Sequence, residues 1–229
     1  MPIRHTVEEG DSVVKLAAQH GFFPATIWND GGNAELKSLR KDMNILAPGD
    51  TVVVPDLRDK AIPCATHIRH VFRRRGVPMI FRLQLFVWNE PRKNQPWTLE
   101  VDGVRHSGTT TADGRIELYL PNTSTSGQLN INNGEVEIPI LFGYMDPVSE
   151  VQGVKKRLVN LGFDCGELDE ELNPQTKSSL RQFQSLVNLK PTGEIDGDTR
   201  DALANCHDMP SLLKQRVDAC KAAMPSGAA

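Results

Sequence analysis

The chain has little of several features that would assign it to a class at once. Only four cysteines occur among its 229 residues, at irregular spacing, which is too few for a disulfide framework. No apolar run approaches the roughly 20 residues that a transmembrane helix needs. The 26 basic and 29 acidic side chains leave a formal charge of -3. The sequence therefore predicts no membrane insertion and no charge-driven binding of nucleic acid.

An apolar leader is also missing, because residues 1–6 pass directly into patterned sequence. This start predicts synthesis in the cytoplasm without a signal peptide, so delivery to the periplasm or the cell wall would need a secretion machine or lysis. The cysteines of a cytoplasmic protein are expected to be thiols, although a bridge between Cys165 and Cys206 stays open.

What is present is the composition of an ordinary globular protein, with 39% apolar and 24% charged residues. The hydrophobic period changes twice along the chain, which predicts a multidomain α+β protein. Its predicted parts are a βααβ module at 1–57, a basic linker and first strand at 58–78, an all-β sandwich at 79–143, a three-helix bundle at 144–208, and a C-terminal helix with a frayed tail at 209–229.

The first part alternates between strand and helix patterns. Helical spacing from Asp11 to His20 ends at Gly21, and a second helix is predicted at 33–41. A short strand precedes these helices, and the run from Thr51 to Val54 predicts the strand that closes the module.

The middle part has a period of two, which is typical of strands with one buried face. Its strands are predicted at 79–87, 97–101, 103–109, 116–120, 128–131 and 136–141. Asp-Gly and Asn-Gly pairs separate several of them, which predicts tight hairpins and an antiparallel sandwich. The helical period returns at Asp146, with helices predicted to begin at Pro147, at Pro174 and near Thr199.

Four acidic side chains crowd the turn before the second of these helices: Glu167, Asp169, Glu170 and Glu171. A similar order of turn, acidic residue, apolar anchor and acidic residue recurs at 193–199. Carboxylates suit the positive end of a helix dipole, so helix capping is the predicted role. A calcium loop would need oxygen ligands at alternating positions, and a catalytic pair would need a shared cleft; neither is indicated.

The C-terminal part carries several motifs at defined spacing. They are Leu158, Leu161-Gly162-Phe163, Phe183-Gln184, Gly193, Asp196 and Thr199. With these motifs, residues 146–206 resemble the small three-helix peptidoglycan-binding domain that is appended to cell-wall hydrolases. Glu170 and Asn173 stand where that family usually has glycine. The resemblance implies glycan contacts at Phe163, Asp164, Asp169, Asn173, Thr176 and Gln184.

The N-terminal part carries a second set of motifs. Gly10-Asp11-Ser12 follows the first strand, and Pro48-Gly49-Asp50 precedes the last strand, which ends at Pro55. In these features the module resembles LysM, which binds N-acetylglucosamine polymers. The resemblance implies a sugar groove in which backbone groups bond the acetamido group and apolar atoms pack on its methyl. Its residues would be Gly10, Asp11, Ser12, Val13, Ile45, Leu46, Ala47 and Pro48.

The middle part, with "QPWTLEVDGVRHSGTTTADGRIEL" at 95–118, resembles the immunoglobulin-like or transthyretin-like sandwiches of bacterial surface and secretion proteins. The order of the three parts resembles accessory proteins of type VI secretion and related contractile injection machines. This implies a non-catalytic adaptor or anchor that binds cell-wall peptidoglycan through its two ends. The alternative is a cytoplasmic protein-interaction adaptor or assembly component of such an apparatus, whose partners would be secretion-machine or effector proteins.

Catalytic and metal-binding groups are not indicated. A wall hydrolase would need a zinc constellation or a catalytic glutamate on a domain of its own, and the sequence shows neither. An activity within the sandwich is the less favoured alternative. Cys64, His67 and His70 recur every third residue, but this spacing does not converge the side chains in an extended segment. We therefore predict no enzyme activity, no cofactor and no metal.

Several single residues can be assigned from their neighbours. Trp97 shares a face with apolar residues and is predicted to be core, whereas Trp88 is predicted to be a contact residue. The basic patch either blunts a strand edge or meets an anionic partner. It comprises Arg69, Arg73, Arg74, Arg75 and Arg82. Surface positions are predicted for His5, His20, His106 and His207.

Overall fold

The computed structural model describes residues 1–58, 63–71, 79–87 and 90–208. The predictions for Trp88, for the three arginines at 73–75 and for the C-terminal helix and tail at 209–229 lie outside the described residues. The chain divides into two compact units. The first contains Met1–Arg82, Thr98–Ser107 and Glu117–Tyr144, and the second contains Leu83–Trp97, Gly108–Ile116 and the chain from Met145 onward. The domain boundaries drawn from the sequence stay a prediction.

The N-terminal module contains two strands with helices between them. Its elements are β1 (Ile3–Thr6), α1 (Val13–His20), α2 (Pro24–Trp28), α3 (Ala34–Arg40) and β2 (Thr51–Val54), with a 3-10 turn at Gly31–Asn33 before α3. β1 and β2 pair antiparallel, with Ile3 opposite Val54 and Thr6 opposite Thr51. The prediction of two helices missed α2, because five residues are too few to show a helical period.

One apolar core holds this module together. It is formed by Val7, Val13, Leu16, Ala17, Ile27, Trp28, Leu36, Leu46, Val52 and Val54. The Ser12 side chain caps α1 by accepting from the backbone N–H of Lys15 at 3.2 Å. Gly21 ends the helix with a φ of 75°, as the sequence predicted.

A buried amide completes the outer edge of β2. Asn33 is 1% exposed, and its side-chain nitrogen donates to the carbonyl oxygens of Ile27 at 2.8 Å and Val53 at 2.7 Å. Its side-chain oxygen accepts from the N–H of Val53 at 2.7 Å. The Asn33 amide therefore bonds to both backbone groups of Val53, as a residue of a neighbouring strand would.

The middle part of the chain is made of strands. They are β3 (Met79–Gln84), β4 (Phe86–Val87), β5 (Glu90–Pro91), β6 (Pro96–Val101), β7 (Val104–Thr109), β8 (Arg115–Leu120), β9 (Ser126–Ile131) and β10 (Val136–Leu141). One sheet has the order β10-β9-β6-β7, and β3-β8 and β4-β5 form two-stranded sheets. The Asp102-Gly103 hairpin turn has the positive φ angles that its sequence predicted.

The predicted strand at 79–87 is interrupted. β3 ends at Gln84, and the next residue, Leu85, changes partners: its N–H donates to Gly114 O at 2.9 Å, and its carbonyl accepts from Arg92 N at 2.9 Å. The alternating pattern continues through this point, so the sequence alone gave no sign of the break. The prediction for Trp97 is confirmed, because the residue is 8% exposed and lies against Gly108, where a Cβ would come within 2.7 Å of the ring.

Three helices follow, as predicted: α4 (Val151–Asn160), α5 (Pro174–Leu186) and α6 (Gly197–Asp208). The predicted start of the first helix at Pro147 was wrong. The carbonyl of Pro147 accepts from Glu150 N at 3.0 Å in a turn, and this turn packs so closely on Gly153 that a Cβ there would clash with it.

The core of the three-helix bundle contains Val154, Leu158, Cys165, Leu180, Phe183, Val187, Leu203 and Cys206. Cys165 and Cys206 are both buried and are not joined by a disulfide, so the bridge that the sequence left open is absent here. Burial raises the pKa of the Cys165 thiol. Among the described residues, no helix combines the length and apolar character that crossing a membrane requires.

Candidate functional site

The structure brings together the two segments of the predicted N-terminal groove, 10–13 and 45–48. The N–H of Val13 donates to the carbonyl of Met43 at 3.0 Å, two residues before the second segment. Val13 and Leu46 belong to the same apolar core. The two segments are therefore neighbours on one side of the N-terminal module.

The groove residues differ in what they offer to a ligand. Val13, Leu46 and Ala47 are buried, so their side chains are structural rather than ligand contacts. Two backbone donors are also used within the chain, because Val13 N bonds to Met43 and Ala47 N bonds to the Asp50 carboxylate at 2.9 Å. Gly10, Asp11, Ser12 and Ile45 are half-buried and Pro48 is exposed, which leaves these five as the accessible residues of the predicted groove.

Asp11 joins the first strand to the first helix. Its carboxylate accepts from the His5 ring at 2.8 Å, from Glu8 N at 3.1 Å and from the Lys15 ammonium at 3.1 Å. Partial burial acts to raise the pKa of Asp11, but these donors outweigh it and the pKa lies below its ordinary value. The Asp11 carboxylate is thus hydrogen-bonded to other residues of the N-terminal module. His5 pairs with this carboxylate and keeps 31% of its side chain exposed, so it is a partly buried surface residue.

The acidic turn of the helical bundle is organised by a buried lysine. Lys155 on α4 is fully buried, and its ammonium donates to the Asp169 carboxylate and, at 3.1 Å, to the carbonyl of Glu167. The hydrogen bond from Lys155 is the main reason why the pKa of Asp169 is lowered; Asp169 also accepts from Glu171 N at 3.1 Å. Pairing with Lys155 therefore accounts for one of the four clustered acids.

Helix capping explains two further polar positions. The side-chain oxygen of Asn173 accepts from Thr176 N at 2.8 Å at the start of α5, and that of Asp196 accepts from Thr199 N at 2.7 Å. The hydrogen bond with Thr199 lowers the pKa of Asp196. The capping prediction is confirmed at Asp196 but was wrong for the acidic cluster, because Asn173 caps α5 and no acidic residue lies in its first turn. Within the described residues, no group of three or more histidine, cysteine or acidic side chains could hold a metal ion.

Gln184 is the centre of a buried polar network. Its side-chain nitrogen lies 3.1 Å from Thr192 Oγ1, 3.0 Å from the carbonyl of Glu194 and 3.0 Å from Thr199 Oγ1. Its side-chain oxygen accepts from Gly193 N at 2.9 Å. The residue has no exposed surface. Its predicted glycan contact is therefore corrected: Gln184 closes the turn before α6 from the inside.

Thr176 is corrected for the same reason. It is fully buried, and its hydroxyl donates to the carbonyl of Cys165 at 3.0 Å. The accessible members of the predicted glycan surface are Asp164, which is exposed, and Phe163, Asp169 and Asn173, which are half-buried. Phe163 also packs edge-on against Phe183, with the two ring centroids 5.9 Å apart, so part of its ring belongs to the core.

Leu168 is an exposed apolar residue that the sequence prediction misplaced. The internal repeat predicts an anchor there, equivalent to Ile195. Ile195 does pack against the bundle core, whereas Leu168 is 43% exposed. Single exposed leucines are common on protein surfaces.

The Lys155–Asp169 pair predicts a pH dependence. The pKa of Asp169 is lowered on folding, so its contribution to stability is present above the unfolded-state pKa, about 3.9, and is lost as the pH falls through the lower folded-state pKa. Asp169→Asn should destabilise the bundle at neutral pH and flatten this acid dependence. Thermal unfolding of the full chain between neutral and acidic pH measures both effects. Asp201→Asn, at an exposed position on α6, is the control that should retain the acid dependence.

Comparison with protein families agrees with this geometry. Residues 147–203, which contain α4, α5 and the first half of α6, match the family model of a peptidoglycan binding domain. No curated protein and no solved structure is significantly similar to the chain. The C-terminal helices of this chain are thus similar to a peptidoglycan-binding domain, and this similarity supports peptidoglycan as a partner.

Proposed function

We propose that the protein is a non-catalytic adaptor or anchor that recognises N-acetylglucosamine-containing glycan strands of peptidoglycan through both of its end modules. The observation that carries the proposal is the family match at 147–203 on a well-packed three-helix bundle. In this proposal the protein reaches the wall by a secretion machine or by lysis.

The C-terminal contribution rests on the exposed side of the acidic turn. Asp164 and Leu168 are accessible there, and Glu170 is exposed between them and α5. The buried Lys155 ammonium donates to the carbonyl of Glu167 and so fixes the backbone of this turn, which therefore does not need to become ordered when a ligand binds. A few polar groups beside an apolar side chain are what sugar recognition needs, since a sugar presents hydroxyls and C–H faces together.

The N-terminal contribution rests on the contact between the two groove segments. Gly10 and Ser12 bring backbone close to the surface, and Pro48 adds an exposed apolar ring opposite them. Two weak sites on one chain bind a polymeric ligand more tightly than either site alone, because the second contact becomes intramolecular. Peptidoglycan offers many identical sugars, which suits this kind of binding.

The test is co-sedimentation of the full chain with purified sacculi at low and physiological salt. Pro48→Gln in the N-terminal groove and Leu168→Gln in the acidic turn should each weaken binding by about 3- to 10-fold, and the double variant should weaken it further. Pro121→Gln and Leu141→Gln replace exposed residues of the same types elsewhere and should bind as the unchanged protein does.

Two outcomes would contradict the proposal in different ways. If the unchanged protein does not sediment with sacculi, wall binding is refuted and a protein partner, such as a component of a secretion apparatus, becomes the ligand to seek. Release of reducing sugar or free amine from the sacculi would show that the protein is an enzyme, against the non-catalytic role. Both readouts come from the same incubation.

A further inference from the structure

The chain returns to the predicted N-terminal groove after the last strand of the sheet. β10 ends at Leu141, and Gly143 and Tyr144 then pack against the Gly10 turn. A Cβ on Gly10 would lie 3.3 Å from Cε2 and Cζ of Tyr144, and a Cβ on Gly143 would lie 3.0 Å from the carbonyl oxygen of Gly10. These residues belong to the same compact unit.

The position of Tyr144 is set by the residues before it. Phe142 is buried, its N–H donates to the carbonyl of Thr125 at 2.9 Å, and its ring packs edge-on against Phe81 at 5.5 Å. Gly143 follows with a φ of 82°, which suits glycine alone and turns the chain across Gly10. The ring of Tyr144 is therefore placed beside Gly10 by a fixed backbone.

The predicted groove has no aromatic residue of its own. Its eight positions hold glycine, aspartate, serine, proline and aliphatic side chains. Aromatic rings are the usual apolar platform for sugars, because the flat ring face packs on the C–H face of a pyranose and leaves the hydroxyls free. Tyr144 is half-buried and places such a ring directly against the Gly10 wall.

We propose that Tyr144 forms an additional sugar subsite at the Gly10 end of the N-terminal groove. There its ring stacks on the sugar unit next to the one that the groove binds. This inference rests on the proposed function of that groove. It also adds to the reason that the φ of 85° gives for glycine at position 10, because a Cβ there would press on the ring that forms the subsite.

A subsite at one end should matter for long ligands and not for short ones. Calorimetric titration of the full chain with the N-acetylglucosamine trimer and hexamer therefore separates it from the groove itself. Tyr144→Ala should weaken hexamer binding by about 3- to 10-fold and change trimer binding less than twofold. Tyr144→Phe keeps the ring and should bind both ligands as the unchanged protein does.

The chain offers a matched control, because its only other tyrosine, Tyr119, is exposed on β8. Tyr119→Ala should leave both affinities unchanged. Unfolding temperatures of all variants report whether the fold is retained. In protein with carbon-13-labelled tyrosine, the Tyr144 ring signals should shift when hexamer is added, whereas those of Tyr119 should not. This second measurement needs no substitution.

The possible results distinguish the two levels of the proposal. Equal hexamer affinity of Tyr144→Ala and the unchanged protein, with Pro48→Gln still weakening binding, would overturn the subsite and leave the groove. Tighter binding by Tyr144→Ala would also overturn it, since the ring would then obstruct the groove. If the unchanged protein binds neither oligosaccharide, the N-terminal sugar site and the subsite are both refuted.

Discussion

Replacing Gln184 with leucine should lower the free energy of unfolding of the C-terminal bundle by about 3 kcal/mol or more. Leucine fills nearly the same space but cannot bond to Gly193 N, to the carbonyl of Glu194 or to the Thr199 hydroxyl. Each buried polar group left without a partner costs about 1–3 kcal/mol. Hydrogen exchange of peptides from α5 and α6, measured in the full chain at increasing denaturant, reports this free energy.

Gln182 supplies the control on the same helix. It is exposed, so Gln182→Leu should change stability by less than about 0.5 kcal/mol. A loss below about 1 kcal/mol in Gln184→Leu would mean that water replaces the missing amide, and the turn before α6 would then be more open than its hydrogen bonds indicate.

The second large effect is expected at Asn33, which holds the N-terminal module together. Asn33→Leu removes the bonds to both backbone groups of Val53 and to the carbonyl of Ile27, so we expect a loss of about 3 kcal/mol in that module. Asn33→Asp keeps the acceptor for Val53 N but loses both donated bonds and places a carboxylate at a buried position, so it should be no milder. Hydrogen exchange in peptides covering β1 and β2 measures the change.

Asn44 is an exposed asparagine of the same module and serves as the control. Asn44→Leu should leave exchange in β1 and β2 within about 0.5 kcal/mol of the unchanged protein. If Asn33→Leu and Asn44→Leu behave alike, the edge of β2 gains nothing from the amide, and the module is stabilised by its apolar core alone.

The sequence predicted elements better than it predicted roles. Periodicity placed all three helices of the bundle and the six longer strands of the middle part, since each is long enough to show a period, but it did not predict the two-residue β5. It missed α2, which is too short, and the break at Leu85, where only the hydrogen-bond partner changes. Such breaks depend on contacts between distant segments, and a local pattern carries no record of them.

The candidate sites show the same limit. Motif positions such as Thr176 and Gln184 were assigned to the ligand, although the structure uses them inside the bundle. A motif identifies the residue type at a position, but it does not show whether the side chain faces the core or the solvent. Leu168 shows the reverse error, because it was predicted to be a buried anchor and is exposed. The approach of Tyr144 to Gly10 joins residues far apart in sequence, so no local pattern could have predicted it.

The two buried cysteines of the bundle have a consequence for its chemical stability. Thiol oxidation and disulfide exchange require an accessible thiolate, and Cys165 is fully buried with a raised pKa while Cys206 is 2% exposed. Neither thiol is suited to react with small oxidants or alkylating agents while the bundle is folded. Burial therefore protects the core of the folded bundle from oxidation at these two sulfur atoms.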